Sequence, residues 1–453
     1  MPAPIALPLD LPELTADLGG GLMRRTVHPS GLRILTERMP GARSATVGFW
    51  VGVGSRDEQA THDEAPGSLG STHFLEHLLF KGTPSHDAYE IAKSFDRIGA
   101  DHNAMTAKEY TCYYAKVRDV DLAGAVRMLA DMVTNSVLDT DEFENERGVI
   151  LEELAMAADD LADVTGERFF EAVLAGHPLG RPIGGNADTI RAARRDDVLE
   201  HYFAEYDPST LVVAAAGAVD HDALVDLVLG ALTAAGERWR TDVSRTPLRR
   251  GVNLHRPEAS TPPQQLTGLQ TTQRESEQVN LMIGSPGITA GDDRRFAFGL
   301  MNSVLGGGMS SRLFQEIREK RGLAYTTYSF GGSYSDAGVF GIYAGTSPAK
   351  AADVVELAGL ELQKIADAGI SEEEHESALG QISGSAALAL EDSDTRMGRL
   401  ARAELGSGEL FSLDASLERY QAVTAADVRA IAATLAAQPK SIVAVGDVEH
   451  SSL

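Results

Sequence analysis

Two histidines and a glutamate stand within five residues, in the stretch His73-Phe74-Leu75-Glu76-His77. On a helix, side chains four positions apart point the same way, about 40° from each other around the axis. Glu76 precedes His77 by one residue and faces the same side. Two neutral imidazole nitrogens and one carboxylate base are the groups that a zinc hydrolase needs. The stretch therefore indicates a hydrolytic metal site.

The alternative to a metal site is a surface helix with two solvated histidines, and the neighbouring residues argue against it. Leu75, Leu78, Leu79 and Phe80 make this segment apolar, which predicts that it is buried. Unpaired imidazoles and a carboxylate are costly to bury. The setting therefore favours a functional site over a solvated surface.

Size and charge limit the class of protein. A chain of 453 residues predicts two or more domains, and a net charge of −26 argues against nucleic-acid binding. The acidic balance fits either a solvated surface or a cleft that attracts basic peptides. We find no apolar run of 18 residues and no signal-peptide pattern, so we expect no membrane span. The single cysteine, Cys112, excludes an internal disulfide and favours a reducing, cytoplasmic location.

The second half of the chain repeats the first. The apolar strand at 45–53 matches 279–287, and the helix start at 140–142 matches 371–373, which lies 231 positions later. Each half reads as strands and helices in the same order, so we predict an α+β protein. It should consist of two tandem homologous α/β-sandwich domains, each a mainly antiparallel sheet covered by helices.

We place a flexible tail at 1–23, a metal-binding domain at 24–235, a linker at 236–263 and a homologous domain at 264–453. At the offset of 234 positions that relates the strands at 45–53 and 279–287, the residues that match His73, Glu76 and His77 are Gly307, Ser310 and Ser311. The flanking Leu-Phe pairs at 79–80 and 313–314 agree. A second copy without the histidines indicates that folding does not require them.

A third metal ligand is expected from the acidic helix at 141–156. Its candidates are Glu142, Glu144, Glu146, Glu152 and Glu153. Glu146 and Glu153 are two turns apart and share a face, whereas Glu152 points about 100° away from Glu153. Either of the aligned pair could bind the metal while the other supports it by hydrogen bonding. A solvated acidic helix is the alternative.

Four stretches carry a family resemblance: 73–84 (HFLEHLLFKGTP), 103–114 (NAMTAKEYTCYY), 146–153 (ERGVILEE) and 312–325 (RLFQEIREKRGLAY). The chain resembles the pitrilysin-type (inverzincin) zinc metallopeptidases, and within them the mitochondrial processing peptidase subunits and their bacterial homologues. The resemblance covers nearly the whole chain. It implies one zinc ion per chain held by His73, His77 and Glu153, with Glu76 as general base and Glu146 supporting a ligand.

The resemblance also implies where a substrate binds. Asn103 and Ala104 would open an edge strand to which an extended peptide adds. Arg318 and Tyr325 would hold the substrate from the half without metal, as their counterparts do in insulin-degrading enzyme. Two chains would pair around a chamber, as a homodimer or with an inactive homologue. We therefore expect a zinc endopeptidase for unfolded peptides or precursor segments; the alternative is a non-catalytic binding or assembly subunit.

Overall fold

A computed structural model describes residues 3–59, 61–62, 65–66, 69–254 and 262–448. Its strands are β1 (Ile5–Ala6), β2 (Glu13–Asp17), β3 (Leu22–Val27), β4 (Arg33–Arg38), β5 (Ser44–Val51), β6 (Thr61–His62), β7 (Ala65–Pro66), β8 (Asp101–Thr106), β9 (Thr111–Arg118), β10 (Leu211–Gly217), β11 (Gly268–Gln273), β12 (Val279–Pro286), β13 (Ala324–Ser333), β14 (Gly338–Thr346), β15 (Glu409–Leu410) and β16 (Ser441–Gly446). Its α-helices are α1 (Ser71–Leu78), α2 (Ala88–Asp96), α3 (Leu122–Asn135), α4 (Thr140–Asp159), α5 (Leu161–Val173), α6 (Ala187–Ala192), α7 (Arg195–Glu205), α8 (His221–Ala234), α9 (Arg295–Gly306), α10 (Ala351–Ala368), α11 (Glu372–Ala389), α12 (Ser393–Leu405), α13 (Leu413–Gln421) and α14 (Ala425–Ala436).

Two sheets share one plan. The first has the strand order β2-β3-β4-β10-β5-β9-β8, and the second has the order β11-β16-β12-β14-β13. In each sheet one pair is parallel, β4 with β10 and β11 with β16, and the other pairs are antiparallel. The predicted α+β class, with two like sheets covered by helices, is confirmed.

Each sheet is covered on one face by a helix from the other half. From the second half, α12 packs on the first sheet, where Trp50 Nε1 donates to Met397 Sδ at 3.0 Å. From the first half, α5 packs Phe169 on the second sheet. Both fits are close, because a Cβ on Gly48 would lie 2.9 Å from Met397 Sδ and one on Gly284 would lie 2.6 Å from Phe169. The opposite faces are covered by helices of the same half.

One expectation, the flexible tail, needs correction. The predicted tail at 1–23 contains β2, which pairs with β3, and β1, which pairs with β15; Leu14 and Ala16 of β2 pack against the core beneath α12. The predicted linker carries buried Arg249 and Arg250, and its residues 255–261 lie outside the described ranges. The domain boundaries stay predictions.

Two other expectations concern the surroundings of the protein. None of the helices within the described ranges is long and apolar enough to cross a membrane. Cys112 is buried in β9 and unpaired. Its packing in a strand agrees with the strand-like sequence around it. The cytoplasmic location stays a prediction.

Candidate metal centre

Helix α1 is oriented by its apolar face. Phe74, Leu75 and Leu78 are buried in the core of the first half, and Phe74 stacks on Phe143 of α4 with 4.2 Å between ring centroids. Asp139 caps the start of α4 by accepting hydrogen bonds from two of its first-turn amides. Because α1 and α4 pack against each other in this register, the polar sides of both helices meet.

Two imidazoles and one carboxylate converge where these helices meet. Glu153 Oε2 lies 3.8 Å from His73 Nε2 and 3.4 Å from His77 Nε2. One ligand atom from each of the three residues lies within 4.8 Å of the others, and the described residues hold no second cluster of this kind. Ligand atoms bonded at about 2.0–2.1 Å to one tetrahedral ion lie about 3.4 Å apart. The donor set is one that zinc takes, and the two distances to Glu153 Oε2 are close to this value.

A second carboxylate orients one of the imidazoles. Glu146, buried on α4, places Oε2 2.9 Å from His77 Nδ1, and its Oε1 pairs with Lys81 Nζ at 2.6 Å. Anchoring Nδ1 leaves His77 Nε2 directed at Glu153. The other acidic candidates lie outside the cluster, and Glu144 pairs with Arg147 instead.

His73 is prepared for ligation by its surroundings. Burial, with a smaller effect of the neighbouring His77, lowers the pKa of His73 to about 4. The imidazole is therefore neutral near pH 7, and binding a metal displaces no proton from it. Its Nδ1 has no hydrogen-bond partner among the described residues and faces Gly184, where a Cβ would lie 3.5 Å away.

Glu76 has a hydrogen-bond partner that the sequence analysis missed. The Thr106 hydroxyl, at the end of β8, donates to Glu76 Oε2. Burial raises the pKa of the Glu76 carboxyl, which makes it a stronger base than an exposed glutamate. Thr106 is separated from Glu76 by 30 positions, and no spacing rule connects the two.

We expect Thr106→Val to lower kcat/KM about tenfold, because a charge-assisted hydrogen bond that holds the base is lost at nearly constant volume. Thr106→Ser, which keeps the hydroxyl, is the matched control and should stay within about twofold of wild type. Steady-state cleavage of a fluorogenic peptide measures both. Equal rates for the two variants would exclude a role for the hydroxyl.

The predicted substrate strand lies at the edge of its sheet. Strand β8 pairs only with β9 among the described strands, with Asn103 opposite Tyr114 and Ala104 opposite Tyr113. The Asn103 side chain accepts a hydrogen bond from the amide of Ala104 at 2.8 Å. No strand in the part of the chain that the structure describes pairs with the outer edge of β8, which ends at Thr106, so this edge is available to an added strand.

The two residues of the predicted substrate-binding pair in the second half lie against each other. The Arg318 guanidinium lies 4.6 Å from the ring centroid of Tyr325 and 4.6 Å from that of Phe314. Tyr325 is 76% exposed. The role of this pair in binding substrate stays a prediction.

A cavity of about 1100 Å³ opens at the end of β8, between the two halves. Its charged lining residues are Lys108, Arg181, Arg250, Arg399, Arg402, Glu109, Glu167 and Glu409. Five of these eight are cations, so the acidic balance of the chain is not concentrated here. The cavity gives no support to a preference for basic substrates.

Comparison with known proteins identifies the family. Residues 33–187 match the family described as insulinase (peptidase family M16), and residues 192–382 match the peptidase M16 inactive domain. An uncharacterized zinc protease of Streptomyces coelicolor is 43% identical over 94% of this chain and 90% of its own length. One from Bacillus subtilis, also named an uncharacterized zinc protease, is 36% identical over 91% of this chain and 96% of its own.

Solved structures agree on the fold. A Helicobacter pylori protease superposes with a TM-score of 0.81 at 22% identity, covering 94% of this chain and 99% of that one. A Pseudomonas fluorescens structure described as a peptidase M16 inactive domain gives 0.81 at 20% identity, covering 96% and 98%. The pitrilysin-type resemblance is thereby confirmed, and the chain belongs to the M16 family of peptidases.

Proposed function

We propose that this protein is a zinc-dependent endopeptidase that cleaves unfolded peptides or precursor segments within an enclosed chamber. The observation that carries the proposal is the convergence of His73, His77 and Glu153 beside Glu76. A His₂Glu set with one open position is a recurring ligand set of catalytic zinc. The zinc-protease names of the relatives support the same assignment.

The residues of the chain divide the chemistry among them. Zinc bound by His73, His77 and Glu153 would supply a Lewis acid that polarises a peptide carbonyl and lowers the pKa of a water molecule. Glu76 accepts a proton from the attacking water and returns it to the leaving amine. The Thr106 hydroxyl donates to Glu76 Oε2, so Oε1 is the oxygen left to accept the proton.

The open edge of β8 suggests how a substrate is bound. An extended peptide that pairs with this edge is held by main-chain hydrogen bonds, which depend little on its sequence. A folded protein seldom offers a free strand. We therefore propose that substrates are unfolded segments, with their scissile bond near the Thr106 end of β8.

Metal removal tests the proposed activity. We expect about one zinc per chain by elemental analysis, loss of peptide cleavage after dialysis against a chelator, and recovery on adding zinc. The substrates are an internally quenched peptide of some tens of residues and the same sequence held in a folded domain. A chain that binds zinc and cleaves neither would be the non-catalytic subunit instead.

We further propose that two copies of the chain complete one another's sites. Tyr325 is exposed and lies against the Arg318 guanidinium, as a surface that receives a partner would be. A homodimer would bring this surface of one chain over the metal centre of the other. A heterodimer with an inactive homologue is the alternative arrangement.

Mixing two inactive variants shows whether Glu76 and Arg318 of one site come from the same chain or from two different chains. Glu76→Gln loses the base, and Arg318→Ala loses the substrate contact. If sites form between chains, random re-pairing regenerates one complete site in half of the dimers, which gives about a quarter of wild-type activity. No regain on mixing, or a monomer by light scattering, would rule the arrangement out.

A further inference from the structure

The start of α1 has an unusual cap. Its N-cap residue is Gly70, which has φ +92° and no side chain to accept the first amides. Glu58, which precedes Gly70 by 12 positions, takes that place: its Oε2 accepts from Gly70 N at 2.8 Å and its Oε1 from Thr72 N at 2.7 Å. Thr72 immediately precedes His73. One carboxylate therefore holds the turn from which the metal-binding side chains project.

Crowding at the metal centre explains why the cap is remote. A Cβ at residue 70 would lie 2.6 Å from Ile190 Cδ1 and 2.9 Å from Gly184 O. Gly184 in turn packs beside the His73 imidazole. The loop that backs His73 thus excludes a side chain at position 70, so the capping group must come from elsewhere.

The segment that carries Glu58 is itself firmly held. Arg56 pairs with Asp336 of the second half at 2.6 Å, and Asp57 pairs with Arg250 at 2.5 Å. Glu58 is 2% exposed, and burial raises the pKa of its carboxyl to about 7. An exposed Ser or Asp cap would satisfy the same amides without burying a carboxylate.

We propose that Glu58 is a positioning residue, which fixes the rotation of α1 and thereby directs His73, Glu76 and His77 at the metal. The inference rests on the proposed zinc site. It adds a residue that touches neither metal nor substrate and acts through the backbone of α1. Supporting groups of this kind affect metal affinity by about 10–100-fold.

Glu58→Gln tests the role, because the amide keeps the shape but can accept only one of the two bonds. Asp220→Asn is the matched control: Asp220 caps α8 by accepting from Ala223 N at 2.9 Å, and α8 carries no site residue. We expect E58Q to bind zinc about 10–100-fold more weakly in competition with a chromogenic chelator. Its kcat should fall with little change in KM, since the Glu58 carboxylate bonds to the start of α1, which carries the metal ligands and the base. The control should match wild type in both.

Two measurements test the role of Glu58 independently of peptide cleavage. The visible spectrum of the cobalt(II)-substituted chain reports ligand geometry and should change in E58Q alone. Hydrogen exchange of the α1 amides in the metal-free chain should quicken in E58Q and not in D220N, and this holds even if the wild type binds no zinc or cleaves nothing. Unchanged exchange, spectrum and zinc affinity in E58Q would overturn the role of Glu58. If E58Q does not fold, Glu58→Asp, which keeps the charge but reaches less far, is judged by the same criteria.

Discussion

Glu76→Gln is expected to reduce peptide cleavage by at least about 10³-fold while the chain keeps its zinc. The amide has nearly the shape of the carboxylate and still accepts the Thr106 hydroxyl, so the site should stay assembled. It cannot take up a proton, however, and proton transfer is the step assigned to Glu76. The loss should therefore appear in kcat, with binding of an uncleaved peptide unchanged.

The chain offers a close control on α4. Glu152→Gln removes one negative charge next to Glu153, but Glu152 is exposed and outside the cluster of ligand atoms. We expect near-normal cleavage from it. Zinc content is measured for both variants by elemental analysis, and rates are followed with a quenched peptide. If E76Q kept both its zinc and its full rate, Glu76 would not be the base.

Glu404→Gln is expected to lower the free energy of unfolding by roughly 3–5 kcal/mol. Glu404 lies on α12 and is fully buried, and it pairs with Arg25 at 2.8 Å and with Arg249 at 2.7 Å. Arg33, also fully buried, lies 3.7 Å away, and burial lowers its pKa to about 10. Removing the one carboxylate leaves three guanidinium groups in the interior without their counter-charge.

Helix α5, which covers the sheet of the second half as α12 covers that of the first, supplies a control for this variant. Glu171 on α5 pairs with Arg168 at 2.8 Å, but both side chains are 57% exposed. Glu171→Gln should therefore change stability by less than about 1 kcal/mol. Urea unfolding followed by circular dichroism measures both variants. A Glu404→Gln chain no less stable than the control would show that the buried cluster contributes little.

The local part of the site could be predicted from the sequence, and the part built from distant residues could not. His73, Glu76 and His77 lie on adjacent turns of one helix, so their spacing alone indicates a shared face. Without the family resemblance, the third metal ligand could be narrowed only to a few acidic candidates, Glu153 among them. Thr106 and Glu58 reach the site through hydrogen bonds across 30 and 14 positions, which no periodicity records.

The elements of the fold can likewise be divided into those that the sequence predicts and those that it does not. Buried strands such as β5 and β10 are apolar runs, and the repeat gave the common plan of both halves. The short strands β1 and β2 lie among prolines and glycines, which reads as an irregular segment. Helix α12 is amphipathic and rich in charge, and nothing in its own sequence says that it covers the sheet of the opposite half.

That reciprocal covering couples the two halves thermodynamically. If either half unfolded alone, it would withdraw the helix that covers the other sheet and expose an apolar face there. A partly unfolded chain therefore has no stable form in which one half remains intact. We expect calorimetry to record one transition, with equal calorimetric and van't Hoff enthalpies, where two independent domains would give two. Cooperativity, rather than the linker, makes this chain a single unit.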